Sequence, residues 1–332
     1  MQIENRNTGG NIRNKQSKKN LFKNFFLNQT GFLIILIIVL GAIVGLINPN
    51  FLEFQNFLNI IQQNVSLGIV AVGVGMLVIT GNFDISVGTM MSFIGIVTAM
   101  IITYTENIPL AIVTGLMMGL VLGTINGIIV AKSKAASFII TLGLLLAYRG
   151  AAVVVSSGLH FPLYGKFNWI GQGKIGGVFP VPIMFFILVF ILAYVILRFT
   201  KFGRMLYIIG GNEKAAFVSG INVDRYKIMT YGFSGLLVGL ATLILLSRLG
   251  SAYPNTGERY ALDSLAAVVV GGASLYGGKG SALSLLLGVL VFGLITNSLN
   301  LVNINPYWRD TVVGIVIIVA VIVGQLGSRR QT

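Results

Sequence analysis

Apolar runs of membrane-crossing length recur along nearly the whole chain, near 31–47, 65–80, 87–103, 109–131, 137–155, 180–199, 228–247, 262–276, 281–299 and 310–326. A crossing helix needs about 20 apolar residues, with a range of about 17–25. The longest polar connections between the runs are 1–30, 156–179, 200–227 and 248–261, so no aqueous domain of useful size remains. The sequence therefore predicts an all-α polytopic integral membrane protein with about ten transmembrane helices, of which the eighth, at 262–276, is short. The expected organisation is a basic cytoplasmic tail at 1–30, a transmembrane body at 31–326 with a cytoplasmic connection at 200–227, and a short basic tail at 327–332.

Charge agrees with this reading. Only 10% of the residues are charged and 55% are hydrophobic, against roughly 25% charged in a soluble domain, and the mean hydropathy is +0.88. A net charge of +14 invites a nucleic-acid reading, but the Lys and Arg lie mostly between apolar runs. Membrane topology accounts for that distribution, and no nucleic-acid partner is expected. With the N-tail inside and the runs alternating, the outer side receives Arg149, Lys166, Lys174, Arg248, Arg259 and Arg309, and the other 17 of the 23 Lys and Arg fall on the cytoplasmic side. An even number of crossings places both basic termini in the cytoplasm. Trp169 and Trp308 fall in outer connections, where interfacial anchors belong. The basic tail is long and "NPNFLEFQN" follows the first run, so no cleavable signal peptide is expected.

The chain has no cysteine, which removes disulfides, thiol catalysis and cysteine-bound metal. Its one histidine, His160, falls in an outer loop, which argues against a histidine metal site or a Ser-His-Asp triad. No metal or cofactor is expected in the chain itself.

Three stretches stand out. "GNFDISVG" (81–88) puts Asp84 in the short gap between two crossings. Read as structure, Asp84 accepts from the free N–H groups that open the next helix. Read as function, it is a carboxylate at the edge of a path or gate. "VVVGGASLYGGKGSALS" (268–284) resembles a phosphate-binding loop but fails it: Gly278 stands where Lys is needed, and Gly280 follows Lys279 where Ser or Thr is needed. Its glycines suit a sharp turn with Lys279 on the cytoplasmic side. In the connection 201–228, "NEKAAFVSGI" reads as a short helix capped by Asn212 and ended by Gly220. Such a helix either lies at the interface or docks on a soluble partner, and its residues alone do not choose. The fourth run carries Gly115, Gly119, Gly123 and Gly127 at a spacing of four, a face for close helix packing.

Together "FDISVG", "GRMLYIIGGNEKAAFVSGINV" and "LDSLAAVVVGGASLYGGKG" resemble the ribose-type permease subunits of bacterial ATP-binding-cassette sugar importers, in order, over roughly 31–326. The resemblance implies a bacterial inner-membrane channel made with a second permease subunit, identical or paralogous. It implies a cassette ATPase that binds ATP-Mg on the cytoplasmic side and an extracytoplasmic sugar-binding protein. It makes 211–220 the coupling helix, with Gly211, Asn212, Glu213, Lys214, Ala215, Ala216, Ser219 and Gly220 as ATPase-coupling residues. Asn82, Asp84, Ser86, Asp263, Gly272, Gly277, Gly278 and Lys279 become signature or gating positions. The chain departs from the family's pattern at Asn82 and Phe83, where Gly-Ile is usual, and at Ala261, where Glu is common.

Polar groups inside the runs are candidates for the translocation path: Asn126, Tyr148, Arg149 and Asn297. Asn126, Tyr148 and Asn297 also suit interhelical hydrogen bonding. Arg149 either reaches the outer interface, pairs with Asp263 or lines a cavity. The expected function is import of a monosaccharide, most simply a ribose-like one. The rivals are a nucleoside or signalling-sugar (autoinducer-2-like) importer of the same build and an ion-gradient carrier, which would place carboxylates or histidines in mid-membrane. A membrane-embedded enzyme would need a nucleophile or metal constellation, and the sequence displays none.

Overall fold

The computed structural model describes residues 29–302 and scattered positions between 305 and 318. The expected tails and the expected tenth crossing, 310–326, lie largely outside the described residues. The described chain is almost entirely helical: α1 (Gln29–Ile47), α2 (Phe54–Ile79), α3 (Val87–Thr105), α4 (Ile108–Ser133), α5 (Ser137–Ser156), the single turn α6 (Trp169–Gln172), α7 (Val181–Phe199), α8 (Lys201–Gly211), α9 (Glu213–Val218), α10 (Val223–Leu249), α11 (Tyr260–Val270) and α12 (Ala282–Leu301). Seven of them, α2, α3, α4, α5, α7, α10 and α12, are long and apolar enough to cross a membrane. With its apolar composition, the chain is a multi-pass membrane protein.

Local chemistry explains where the helices start and stop. Asn107 accepts from Leu110 N–H at 2.9 Å to open α4, and Asn222 from Arg225 N–H at 3.0 Å to open α10. Gly250, at φ +67°, closes α10 in the left-handed conformation that glycine tolerates. Ser281 and Ser284 form a reciprocal cap at the start of α12.

Lys132, Lys134, Arg198 and Lys201 gather at one end of the bundle, here called the basic end; there Lys132 pairs with Asp224 across α4 and α10 at 3.6 Å. At the opposite end Lys166 pairs with Glu106 at 2.6 Å, and the Lys166 hydrogen bond holds the Glu106 carboxyl below its ordinary range. Two strands also meet there, β1 (Phe161–Pro162) and β4 (Ser251–Ala252), antiparallel. A second small pair, β2 (Lys174–Ile175) with β3 (Phe179–Pro180), precedes α7.

The core runs through α2 and α10, the most buried long helices after which α3 and α12 follow, while α4, α5 and α7 present much of their apolar surface outward. The glycine ladder of α4 packs within the chain. A Cβ on Gly123 would stand 2.5 Å from the Tyr231 carbonyl oxygen and 2.8 Å from Gly235 Cα, so α4 and α10 are in backbone contact. The close packing expected of the ladder is made inside the bundle.

The eighth expected crossing is corrected. α11 has 11 residues, about 16 Å at 1.5 Å per residue, half of a ~30 Å hydrocarbon core. Gly271 follows its last residue, so close to α12 that a Cβ there would meet the Ser284 carbonyl carbon at 3.0 Å, and Gly272 at φ +99° turns the chain out of the helix. On its N-terminal side "YPNTG" (253–257) is turn chemistry, so the chain arrives without helix. That passage is part loop and part helix.

Candidate functional site

The residues 80–86, the short gap between two apolar runs, do not stay at the basic end. They turn back into the bundle. Phe83 N–H donates to Ser137 Oγ at 3.0 Å, Ile85 N–H to Thr141 Oγ1 at 3.3 Å, and Tyr231 O–H to the Phe83 carbonyl at 2.7 Å. Ser137 opens α5 and Thr141 lies one turn on, so the segment climbs along α5. An extended backbone inside a membrane bundle must find partners for its polar groups, and these hydroxyls supply them.

The climb ends in a buried polar cluster. Asp84 Oδ1 accepts from Ser86 N–H at 2.9 Å and from Ser86 O–H at 2.5 Å. Asn126 Nδ2 donates to Asp84 Oδ2 at 3.1 Å and to Ser86 Oγ at 3.0 Å, while Tyr148 O–H donates to Asn126 Oδ1 at 2.6 Å. All four residues are buried. Asn126 stands seven residues before the end of α4 and Tyr148 eleven residues into α5, about 10 and 16 Å from the basic end. Asp84 therefore does not serve the opening N–H groups of α3 as expected; its oxygens are taken by the N-cap residue Ser86 and by Asn126 from another helix. The cluster ties α3, α4 and α5 to one point.

The second assembly is at the basic end. The Gly278 N–H donates to the carbonyl of Ile79, the last residue of α2, at 2.9 Å. A Cβ on Gly210 would overlap that carbonyl and stand 2.6 Å from Gly278 N, and one on Gly277 would stand 2.6 Å from Gly210 O. Tyr207 O–H donates to the Gly280 carbonyl at 2.9 Å, and burial pushes its phenol pKa up. Backbones of α2, α8 and the 271–281 turn thus meet through glycines, with Gly272, Gly277 and Gly278 all at positive φ. Lys279 is exposed, as a turn residue at the basic end should be.

Next to this junction α9 forms the expected short helix. Asn212 caps it, accepting from Ala215 N–H at 2.9 Å, Ser219 follows its last turn, and Gly220 at φ +80° ends it. Glu213 pairs with Lys227 at 2.8 Å, and Ala216 is buried with Ile209 and Val223. Gly211 and Lys214 are exposed. The two most exposed apolar side chains of this helix, Phe217 (72%) and Val218 (82%), are ones the sequence reading passed over. A six-residue helix is too short to display a period, and only the packing of Ala216 reveals which face is left outside.

The other candidates are separate. Asn297 exchanges hydrogen bonds with Asn56, donating at 2.9 Å and accepting at 3.2 Å, and so joins α12 to α2. Asn82 bonds locally to Thr80. Asp263 lies in the first turn of α11, half-buried. Arg149 pairs with Glu258 at 3.0 Å and not with Asp263. Glu258 belongs to the loop that enters the bundle, which the sequence did not place beside α5. Among the described residues, no three His, Asp or Glu side chains converge as a metal site would require.

Residues 56–321 match the family model described as branched-chain amino acid transport system / permease component. The chain belongs to this permease family. Among curated relatives of this permease, the ribose import permease protein of Escherichia coli (strain K12) is 40% identical over 295 residues, covering 87% of this chain and 92% of that protein. The ribose import permease protein of Bacillus subtilis (strain 168) is 43% identical over 293 residues, 87% and 91% of the two chains. The galactose/methyl galactoside import permease protein of Escherichia coli (strain K12) is 32% identical over 330 residues, 92% and 96%. No solved structure matches the permease.

Proposed function

We propose that this permease is the channel-forming subunit of an ATP-driven importer of a monosaccharide, with a ribose-like sugar as cargo, in a bacterial inner membrane. The observation that carries the reading is the identity of 40–43% to ribose import permeases over about nine-tenths of both chains. The galactoside relative is less similar, which favours the pentose.

In this reading the permease makes ten passages with both termini in the cytoplasm, and the basic end is the cytoplasmic end. It works with a second permease subunit, a cassette ATPase that holds ATP-Mg, and an extracytoplasmic sugar-binding protein. Closure of the ATPase pushes on α9. The glycine contacts of Gly210 with Ile79 and Gly278 hand that push to α2 and to the 271–281 turn. The segment 80–86 continues directly from α2, so the push reaches the Asp84–Asn126–Tyr148 cluster, which acts as the gate-holding network. Close backbone packing suits this role, because packed elements shift between discrete arrangements rather than deform continuously.

The test is uptake of labelled ribose, xylose, galactose and a nucleoside by cells carrying the full importer, with ATP depletion and ionophore as separate arms and Glu213→Arg as the variant. Ribose uptake lost on ATP depletion, spared by ionophore and lost in the variant is the expected result. Uptake that collapses with ionophore while ATP is maintained overturns the reading in favour of a gradient-driven carrier.

A further inference from the structure

Arg149 and Glu258 are two charges held deep in the bundle yet turned outward. Arg149 lies 12 residues into α5 and seven before its end, about 18 and 10 Å from the two ends. Its side chain could reach the nearer end only by leaving its partner. That partner is anchored by its own backbone: Gly257 N–H donates to Ser92 Oγ at 2.9 Å, and a Cβ on Gly88 would stand 2.7 and 2.8 Å from the carbonyls of Gly257 and Glu258. Gly88 follows two residues after Ser86, which shares Asn126 with Tyr148, the neighbour of Arg149, so Glu258 lies at about the level of Arg149. The pair is nevertheless open, with side chains 58% and 34% exposed.

An ion pair at such depth is costly against hydrocarbon, and ionisable groups there face a protein interior or a water-filled cavity. We propose that this face of α5 and the 251–259 loop line the water-filled translocation path, and that Arg149 and Glu258 are its hydrogen-bonding station for a neutral polyhydroxylated solute. The chemistry fits the solute. A guanidinium offers several N–H donors and a carboxylate two acceptor oxygens, which is what vicinal hydroxyls need, while their charges cancel and leave the path neutral. The sidewall is loop here for the same reason: non-helical backbone at membrane depth is tolerated where it lines water or is buried in protein. The station rests on the importer reading above, but its location is tested independently of transport.

The chain has no cysteine, so single replacements report cleanly. In the assembled importer, Arg149→Cys and Gly150→Cys are compared with Ile191→Cys, on the outward apolar face of α7, for reaction with a membrane-impermeant charged thiol reagent. Gly150→Cys leaves the ion pair intact, and a Cβ there meets nothing within 4 Å. Reaction at Arg149→Cys and Gly150→Cys well above Ile191→Cys is expected. Gly150→Cys reacting no faster than Ile191→Cys in every nucleotide state overturns the path. For the station, Arg149→Gln and Glu258→Gln are expected to lower labelled ribose uptake by about tenfold or more, since each leaves a charge without its partner. ATPase activity and the amount of assembled complex are expected to be retained, which a purely structural pair would not allow. The exchange Arg149→Glu with Glu258→Arg is expected to recover uptake above either single variant. Wild-type uptake in both single variants, or loss of assembly together with uptake, overturns the station.

Discussion

At the scale of single residues, Asp84 is held on every side. Its two oxygens are filled by Ser86 and Asn126, and Asn126 is in turn fixed by Tyr148. The cluster orders its members unequally, which makes it testable. Tyr148→Phe removes one O–H donor and leaves a single buried acceptor, Asn126 Oδ1, without a partner, at a cost of about 1–3 kcal/mol. Asp84→Asn removes the charged acceptor of three hydrogen bonds and sets its amide N–H against another donor, Asn126 Nδ2 or Ser86, so that two buried groups are left unsatisfied at about 1–3 kcal/mol each. Thermal midpoints of the purified chain in detergent are expected to fall more for Asp84→Asn than for Tyr148→Phe. Equal midpoints in both variants and wild type are incompatible with the network. "GNFDISVG" pointed to Asp84, but nothing local announces Asn126 and Tyr148 as its partners, because they come from helices 42 residues or more further along the chain.

Among the elements, α4 and α10 pack so closely that a single added carbon must move them. Gly119, Gly123 and Gly127 of α4 face Tyr231, Gly235 and Ile228 of α10 at backbone contact. Gly123→Val must push α4 away from the Tyr231 carbonyl, and overpacking of this kind costs about 1–3 kcal/mol or more. Size-exclusion profiles after a heat step are expected to show aggregation at lower temperature for Gly123→Val. Gly143→Val, where a Cβ meets nothing within 4 Å, is expected to behave as wild type. The ladder was legible in the sequence as a close-packing face. Its partner was not, since Gly235 and Gly239 of α10 share the same small-residue spacing with other glycine-bearing helices and only the fold selects one.

Across the whole molecule, the feature that projects from the basic end is α9. α9 stands out from it with Phe217 and Val218 exposed, while Ala216 anchors it to α8 and α10. Apolar side chains that project from a polar, water-facing end suit a groove in a partner. Phe217→Asp is expected to abolish copurification of the cassette ATPase with the permease. Tyr164→Asp, at the opposite end and 81% exposed, is expected to leave it unchanged. Equal recovery of the ATPase with both variants places the docking surface elsewhere.

Ten apolar runs, charge counted between them and three quoted motifs were enough to determine a helical membrane permease and to single out α9, the glycine turn and Asp84. Those properties are local: hydropathy over a window, a cap residue, a positive-φ glycine. Depth and partnership were decided by the tertiary structure alone. The eighth run reads as a crossing by hydropathy, yet α11 is half that length because the glycines after Val270 pack on α12 and the turn before Tyr260 enters the bundle unwound. The gap at 80–86 reads as a short connection between two crossings, and it climbs inward because Ser137, Thr141 and Tyr231 satisfy its backbone. Arg149 was visible as a charge inside an apolar run, but Glu258 became its partner only because loop 251–259 descends beside α5. Hydrogen bonds between residues tens of positions apart leave no periodic trace in a sequence, and they hold 80–86 and its cluster inside the bundle.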